Sequence, residues 1–162
     1  MYILGVDPVN DISATPKHRE GSLGANVTSA GVKIYIYVRA NGAITGDGYV
    51  CDIDGSNYDA AMCTTTTTAP GTGAGKPVGV ARAAFADNDY GWLQVFGPGT
   101  VRTLASCAAY TIINSTATAG ALDDDATSGA EVIDGLVLDV ATGGAAASTA
   151  GFINWPRVGR TL

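Results

Sequence analysis

Apolar and polar positions alternate along this chain in short runs, and the runs carry the period of two that belongs to a strand with one buried face. Lys33-Ile-Tyr-Ile-Tyr-Val-Arg-Ala40 is the clearest case, rich in the β-branched and aromatic side chains that suit a pleated surface. Further strands are predicted over 48–53, 78–84, 90–96, 101–104, 110–113, 132–140 and 151–154, about eight in all. Between them lie Asn41-Gly42, Asp54-Gly55, Asp87-Asn-Asp89 and Gly97-Pro98-Gly99, the residue types of tight turns; Gly97-Pro98-Gly99 is expected to end the strand before it. No segment of 10–15 residues holds a helical period, so a βαβ architecture is excluded. Ala141–Ala150 contains Gly143-Gly144 and offers at best a short helical turn.

Two stretches break the alternation. Residues 1–30 hold Pro8, Pro16 and the charged Lys17-His-Arg-Glu20 without a sustained period, which predicts an extended, irregular N-terminal arm ahead of a body spanning 31–162. Residues 64–75 join five threonines to a Gly/Pro-rich half, and read as a surface loop. The whole pattern predicts an all-β fold, a compact antiparallel β-barrel or sandwich of about eight short strands with an irregular arm. Trp92 and Trp155 are expected in its core.

Composition narrows the function. Ala, Gly and Thr supply 26, 22 and 18 of 162 residues, about 41%, while charged residues reach 15%. A net charge of −6 argues against gripping nucleic acid, which needs a cationic footprint. No apolar run nears the roughly 20 residues of a membrane helix, and the opening Met1-Tyr-Ile-Leu-Gly-Val-Asp-Pro8 lacks the pattern of a signal peptide, so a soluble, unprocessed chain is expected. Cys51, Cys63 and Cys107 fall in no metal or redox spacing and read as small buried hydrophobes in a reducing compartment. The sequons at Asn26 and Asn114 read as chance matches in a Thr-rich chain.

Candidate chemistry is sparse. Gly71-Thr-Gly-Ala-Gly-Lys76 fails as a phosphate loop, because Pro70 stands where the first glycine is needed and Pro77 where the hydroxyl should follow the lysine. Asp52, Asp54, Asn57 and Asp59 space oxygen donors so that a loop folding back could wrap a cation, although Asp and Asn beside Gly are equally the residues of a turn. The acidic tips Asp87-Asn-Asp89 and Asp123–Asp125 pose the same choice. His18 is the sole imidazole and no nucleophile elbow exists, so hydrolytic triad chemistry is not expected. An aromatic-lined groove for a glycosidase carboxylate pair is not evident either. The chain is expected to be no enzyme and to need no cofactor.

Tyr35-Ile-Tyr-Val-Arg-Ala40, Pro77-Val-Gly-Val-Ala-Arg82, Asp89-Tyr-Gly-Trp-Leu-Gln-Val-Phe-Gly97, Gly120-Ala-Leu-Asp-Asp-Asp125 and Asn154-Trp-Pro-Arg-Val158 resemble, in succession, the head decoration or cement proteins of tailed bacteriophages. The likeness spans residues 30–158, and Tyr-Gly-Trp-x-Gln-Val-x-Gly after a Gly-Val-Ala strand is its most specific element. The resemblance implies a β-barrel or β-tulip body made in the host bacterial cytoplasm. That body would sit as a homotrimer on the outer surface of the virion capsid, with the major capsid protein as partner. It implies an arm that latches shell subunits, with Tyr2, Ile3 and Leu4 anchored in capsid pockets and Lys17, His18 and Arg19 meeting an acidic surface. No membrane or nucleic-acid partner is implied. The competing expectation is a phage fibre, tail or receptor-binding module that displays loops such as 64–75 and 120–130 to a host surface.

Overall fold

The structure is a computed structural model that describes residues 2–125 and 128–162, Tyr2 through its backbone. It is all-β, with eleven strands and no helix among the described residues. They are β1 (Tyr2–Leu4), β2 (Leu23–Thr28), β3 (Gly31–Ala40), β4 (Val50–Ile53), β5 (Asp59–Met62), β6 (Val78–Ala81), β7 (Tyr90–Thr103), β8 (Asn114–Ser115), β9 (Leu122–Asp123), β10 (Glu131–Leu138) and β11 (Ala147–Thr161). The sheet is mixed, because β1–β2, β3–β5 and β7–β9 pair in parallel. The expectation of about eight antiparallel strands is corrected on both counts.

The strand order is β1-β2-β3-β5-β4-β6-β7-β11-β10-β8-β9, with β3 and β9 each also paired to β7. Those extra pairings close two circuits that share β7: β3-β5-β4-β6-β7 and β7-β11-β10-β8-β9. Each circuit has its own apolar filling. Val38, Ala40, Ile44, Cys51, Ile53, Ala60, Ala81, Phe85 and Leu93 fill the first, and a larger set running from Val50 and Val101 to Leu138, Ile153 and Val158 fills the second. All three cysteines lie in these cores as free thiols. Burial pushes the Cys51 and Cys63 thiols well up from their ordinary value, and pushes Cys107 up to about 12.

β7 shows why a turn signal can mislead. Gly97-Pro98-Gly99 does not end the strand, which runs fourteen residues and pairs with β11 from Phe96 to Thr103. The fully buried Gln94 donates from its side-chain amide to the carbonyls of Phe96, Gly97 and Pro98, each at 3.1 Å, and so braces the strand across this stretch. Gly97 has φ of 100°, and a Cβ there would run into the Val32 carbonyl oxygen. The strand forecast over 110–113 is also displaced: only Asn114–Ser115 pair, with β10 and β9.

The first thirty residues are not an irregular arm. β1 and β2 join the sheet beside β3, and the proposed boundary near residue 30 falls in the β2–β3 turn. Val6 enters a third cluster with Tyr35, Tyr37 and Trp92, and the His18 ring lies 5.1 Å from Tyr37 and 5.2 Å from Trp92. The Lys17 amide donates to the Tyr37 hydroxyl at 3.0 Å, and the Gly21 amide to the Tyr37 carbonyl at 2.8 Å. Two main-chain amides of this segment satisfy one buried tyrosine, a pairing that side-chain periodicity does not register.

Candidate functional site

Ile3, Lys17, His18 and Arg19 come together around an open cleft of about 650 Å³ that Glu20 and Tyr58 also line. Leu4 is not among them and projects into solvent, 80% exposed. Lys17 is paired with Asp11 at 3.2 Å on the surface, an arrangement that contributes little energy. Of Tyr2 only the backbone is described, paired with Leu23.

Asp52, Asp54, Asn57 and Asp59 are brought together by the β4–β5 turn, where Tyr58 takes φ of 57°. With Asn41, Thr66, Thr67, Thr72 and Lys76 they line a polar cleft of about 280 Å³. Most of their oxygens are turned to protein donors. Asp59 accepts two bonds from the Arg39 guanidinium, at 2.8 and 2.7 Å, and one from the Asn57 amide at 2.7 Å. Asp54 Oδ1 accepts from the Ser56 amide at 2.8 Å and its hydroxyl at 2.5 Å, and these bonds hold its carboxyl below the usual range. Asp52, 3% exposed, meets Lys76 Nζ through Oδ1 at 3.3 Å, while its Oδ2 has no hydrogen-bond partner. An ammonium group therefore stands in the cleft, and the three carboxylates do not converge as calcium ligation requires. These hydrogen bonds are those of a structured turn.

Trp155 is not in the core. It is 48% exposed and takes φ of 49°, because Asn154, Trp155 and Pro156 stand opposite the single residue Gly135 where the β10–β11 register shifts. Gly135 has φ of 83°, and a Cβ there would lie 2.6 Å from the Asn154 carbonyl oxygen. The bulge swings the indole over an apolar groove of about 340 Å³ walled by Ile36, Ile53, Pro77, Val78 and Val95. Trp92, by contrast, is fully buried. The groove and the polar cleft share no lining residue, and they lie on opposite faces of the 75–77 segment, Gly75 and Pro77 lining the first and Lys76 the second. Asn41, Thr66, Thr72 and Lys76, which complete the polar cleft, were not joined to the acidic turn by the sequence, and the only signal was the placement of the threonine run in a loop.

Among the described residues one group of three potential metal ligands converges within 4.8 Å: Cys107, Asp123 and Asp124. Asp124 Oδ2 already accepts from the Ala108 amide at 3.0 Å, so one of the three groups is committed to the chain. The sequon asparagine Asn114 is 1% exposed in the folded chain. Comparison with known proteins found no matching family profile and no matching curated protein.

Proposed function

We propose that the chain is a structural virion protein that binds the outer surface of a phage capsid and ties neighbouring major capsid subunits together against internal DNA pressure. The observation that carries the reading is an apolar stripe across one face of five strands. Strand register aligns Val27 with Val32, Ile34 with Phe96, and Phe152 with Val137, all on one face, while the Phe96 and Phe152 rings meet edge to face at 5.5 Å. Val27, Val32, Val137 and Phe152 are 38–74% exposed. Aligned apolar side chains left in water favour a lasting partner, and a shell subunit or a second copy in a homotrimer supplies one. The barrel-like circuits give a stiff body that leaves few free strand edges, and the basic side chains Lys17 and Arg19 beside β1 suit an acidic shell surface. Such a role is mechanical and calls for no cofactor.

Co-sedimentation with expanded and unexpanded heads tests it, with oligomeric state read by light scattering. Saturable binding to expanded heads is expected, with a rise in their disruption temperature and a loss of binding in Val27→Asp, whose side chain is 74% exposed, at little changed thermal stability. A chain that ignores heads and instead builds rods or adheres to host cells overturns the reading in favour of a tail, fibre or receptor module.

A further inference from the structure

We propose that the groove beneath Trp155 is a binding site for a small hydrophobic carboxylate, whose apolar body fills the groove and whose anionic end meets Arg157. The walls are apolar, and Arg157 is the one charged residue that lines them. Val95 is the extra residue where β7 gains a position on β3 between Gln94 and Phe96. It is 4% exposed yet belongs to none of the three core clusters, so its burial is against the groove. Trp155 is half exposed at φ of 49° and pinned there from both sides, because the Asn154 carbonyl before it and Pro156 after it both sit on Gly135, where no side chain intervenes. An aromatic residue in the left-handed region persists only where its surroundings impose it, and such positions cluster at ligand clamps.

The facing wall is equally fixed. Pro77 pairs with Arg157 in an isolated antiparallel bridge, the Gly75 amide donates to the Val158 carbonyl and the Val158 amide to the Lys76 carbonyl, each at 2.9 Å. The Ile53 amide donates to the Pro77 carbonyl at 2.8 Å. The groove is therefore ready-formed. Its volume of about 340 Å³ lies within the roughly 300–1,000 Å³ of small-ligand pockets, which are mostly apolar with a few placed polar groups.

Those polar groups select the ligand. Arg157 is exposed and forms no ion pair among the described residues; Asp134 stands opposite it on β10, but its carboxyl leans over Gly159. The Trp155 indole N–H likewise donates to none of the described residues. Both side chains are donors only, so the polar end of a ligand has to accept. A carboxylate offers two coplanar oxygens to the fork of a guanidinium, a match that a hydroxyl lacks. A cation is disfavoured by Arg157, and a bare anion leaves the apolar walls in water.

The test is calorimetric titration of the full chain with 3-phenylpropionate, cyclohexylacetate and hexanoate, each beside its alcohol and its amine counterpart, and with acetate as the bare anion. Tryptophan fluorescence reports on the groove, since Trp92 is buried and Trp155 is not. Saturable binding of at least one hydrophobic carboxylate is expected at a Kd under about 1 mM, at least about tenfold tighter than its alcohol, with no response to the amines or to acetate. Arg157→Gln is expected to erase the preference for carboxylate over alcohol, and Arg157→Lys, which keeps the charge but not the fork, to fall between. Trp155→Gly, which takes the left-handed backbone without strain, is expected to weaken every binder about tenfold or more. All three variants replace exposed side chains, and their thermal midpoints show that the fold is kept. No saturable response to any of the three carboxylates up to about 10 mM overturns the site, as does equal affinity for carboxylate and alcohol, or carboxylate binding indifferent to Trp155 and Arg157. No residue of the apolar stripe lines the groove, so a chain that takes the carboxylate and ignores heads overturns only the decoration reading, and the reverse result overturns only this one.

Discussion

Asp123 stands where a charge is least welcome, buried on β9 with Asp124 and Asp125 following it. Burial raises its pKa above the ordinary value, and the neighbouring carboxylates add to the rise. A carboxyl with a raised native pKa favours the folded state fully below its unfolded value, about 3.9, and that contribution is lost as pH climbs through the native value. Asp123→Asn keeps the oxygen that accepts from the Asp124 amide at 3.0 Å and removes the charge. Its thermal midpoint is expected to exceed that of the parent at pH 7, with the gap closing below about pH 4; a pH series of melting curves checks both ends. The same scale shows what residue type conceals. Trp92 and Trp155 read alike in sequence, and only a register shift of β10 against β11, fixed by Gly135, sends one inward and the other out. Asp52–Asp59 were legible as a group, but Arg39 and Lys76, which decide what the group can bind, come from other strands and loops.

At the scale of elements, Gln94 explains how a fourteen-residue strand passes through Gly-Pro-Gly. Gln94→Leu preserves bulk but removes the side-chain amide that reaches the carbonyls of residues 96 to 98. It is expected to cost roughly 2–4 kcal/mol, read as a lower urea midpoint at an unchanged slope. A smaller loss would mean that the three carbonyls find water instead. Residue type located β3 and the first half of β7, whose β-branched and aromatic side chains pack on both faces, Tyr35, Tyr37 and Trp92 into one cluster and Val38, Ala40 and Leu93 into another. The sequence reading did not locate β1, β5, β8 or β9, which are two to four residues long, nor the six-residue β2, and these owe their existence to neighbours rather than to their own pattern.

The whole molecule differs most from its sequence reading at the N-terminal end. A tail that folds only on a partner can be removed without loss, whereas one that covers Tyr35, Tyr37 and Trp92 cannot. Removal of residues 2–22 is therefore expected to lower stability by at least about 3 kcal/mol, the scale of losing a buried valine together with its aromatic contacts. It is also expected to shift Trp92 emission to longer wavelength as water reaches the indole; an unchanged melt and spectrum would restore the free arm. All-β character was legible because no stretch supports a helix. The two-circuit closure was not, since it depends on β7 accepting β3 and β6 along one half and β11 along the other, pairings between residues far apart in the chain.

That shared strand also sets a clock on synthesis. The first circuit has all its strands once Thr103 clears the ribosome, but the second waits for Ala147–Thr161, roughly 60 residues later and some seconds at about 5–20 residues per second. Through that interval the edge of β7 that β11 will cover stands open to any other nascent strand. The stretch left waiting begins with Gly97-Pro98-Gly99, and a proline without an amide hydrogen between two glycines makes a poor template for a stray strand. The tripeptide that disguises β7 as two strands thus also guards it until its own partner arrives.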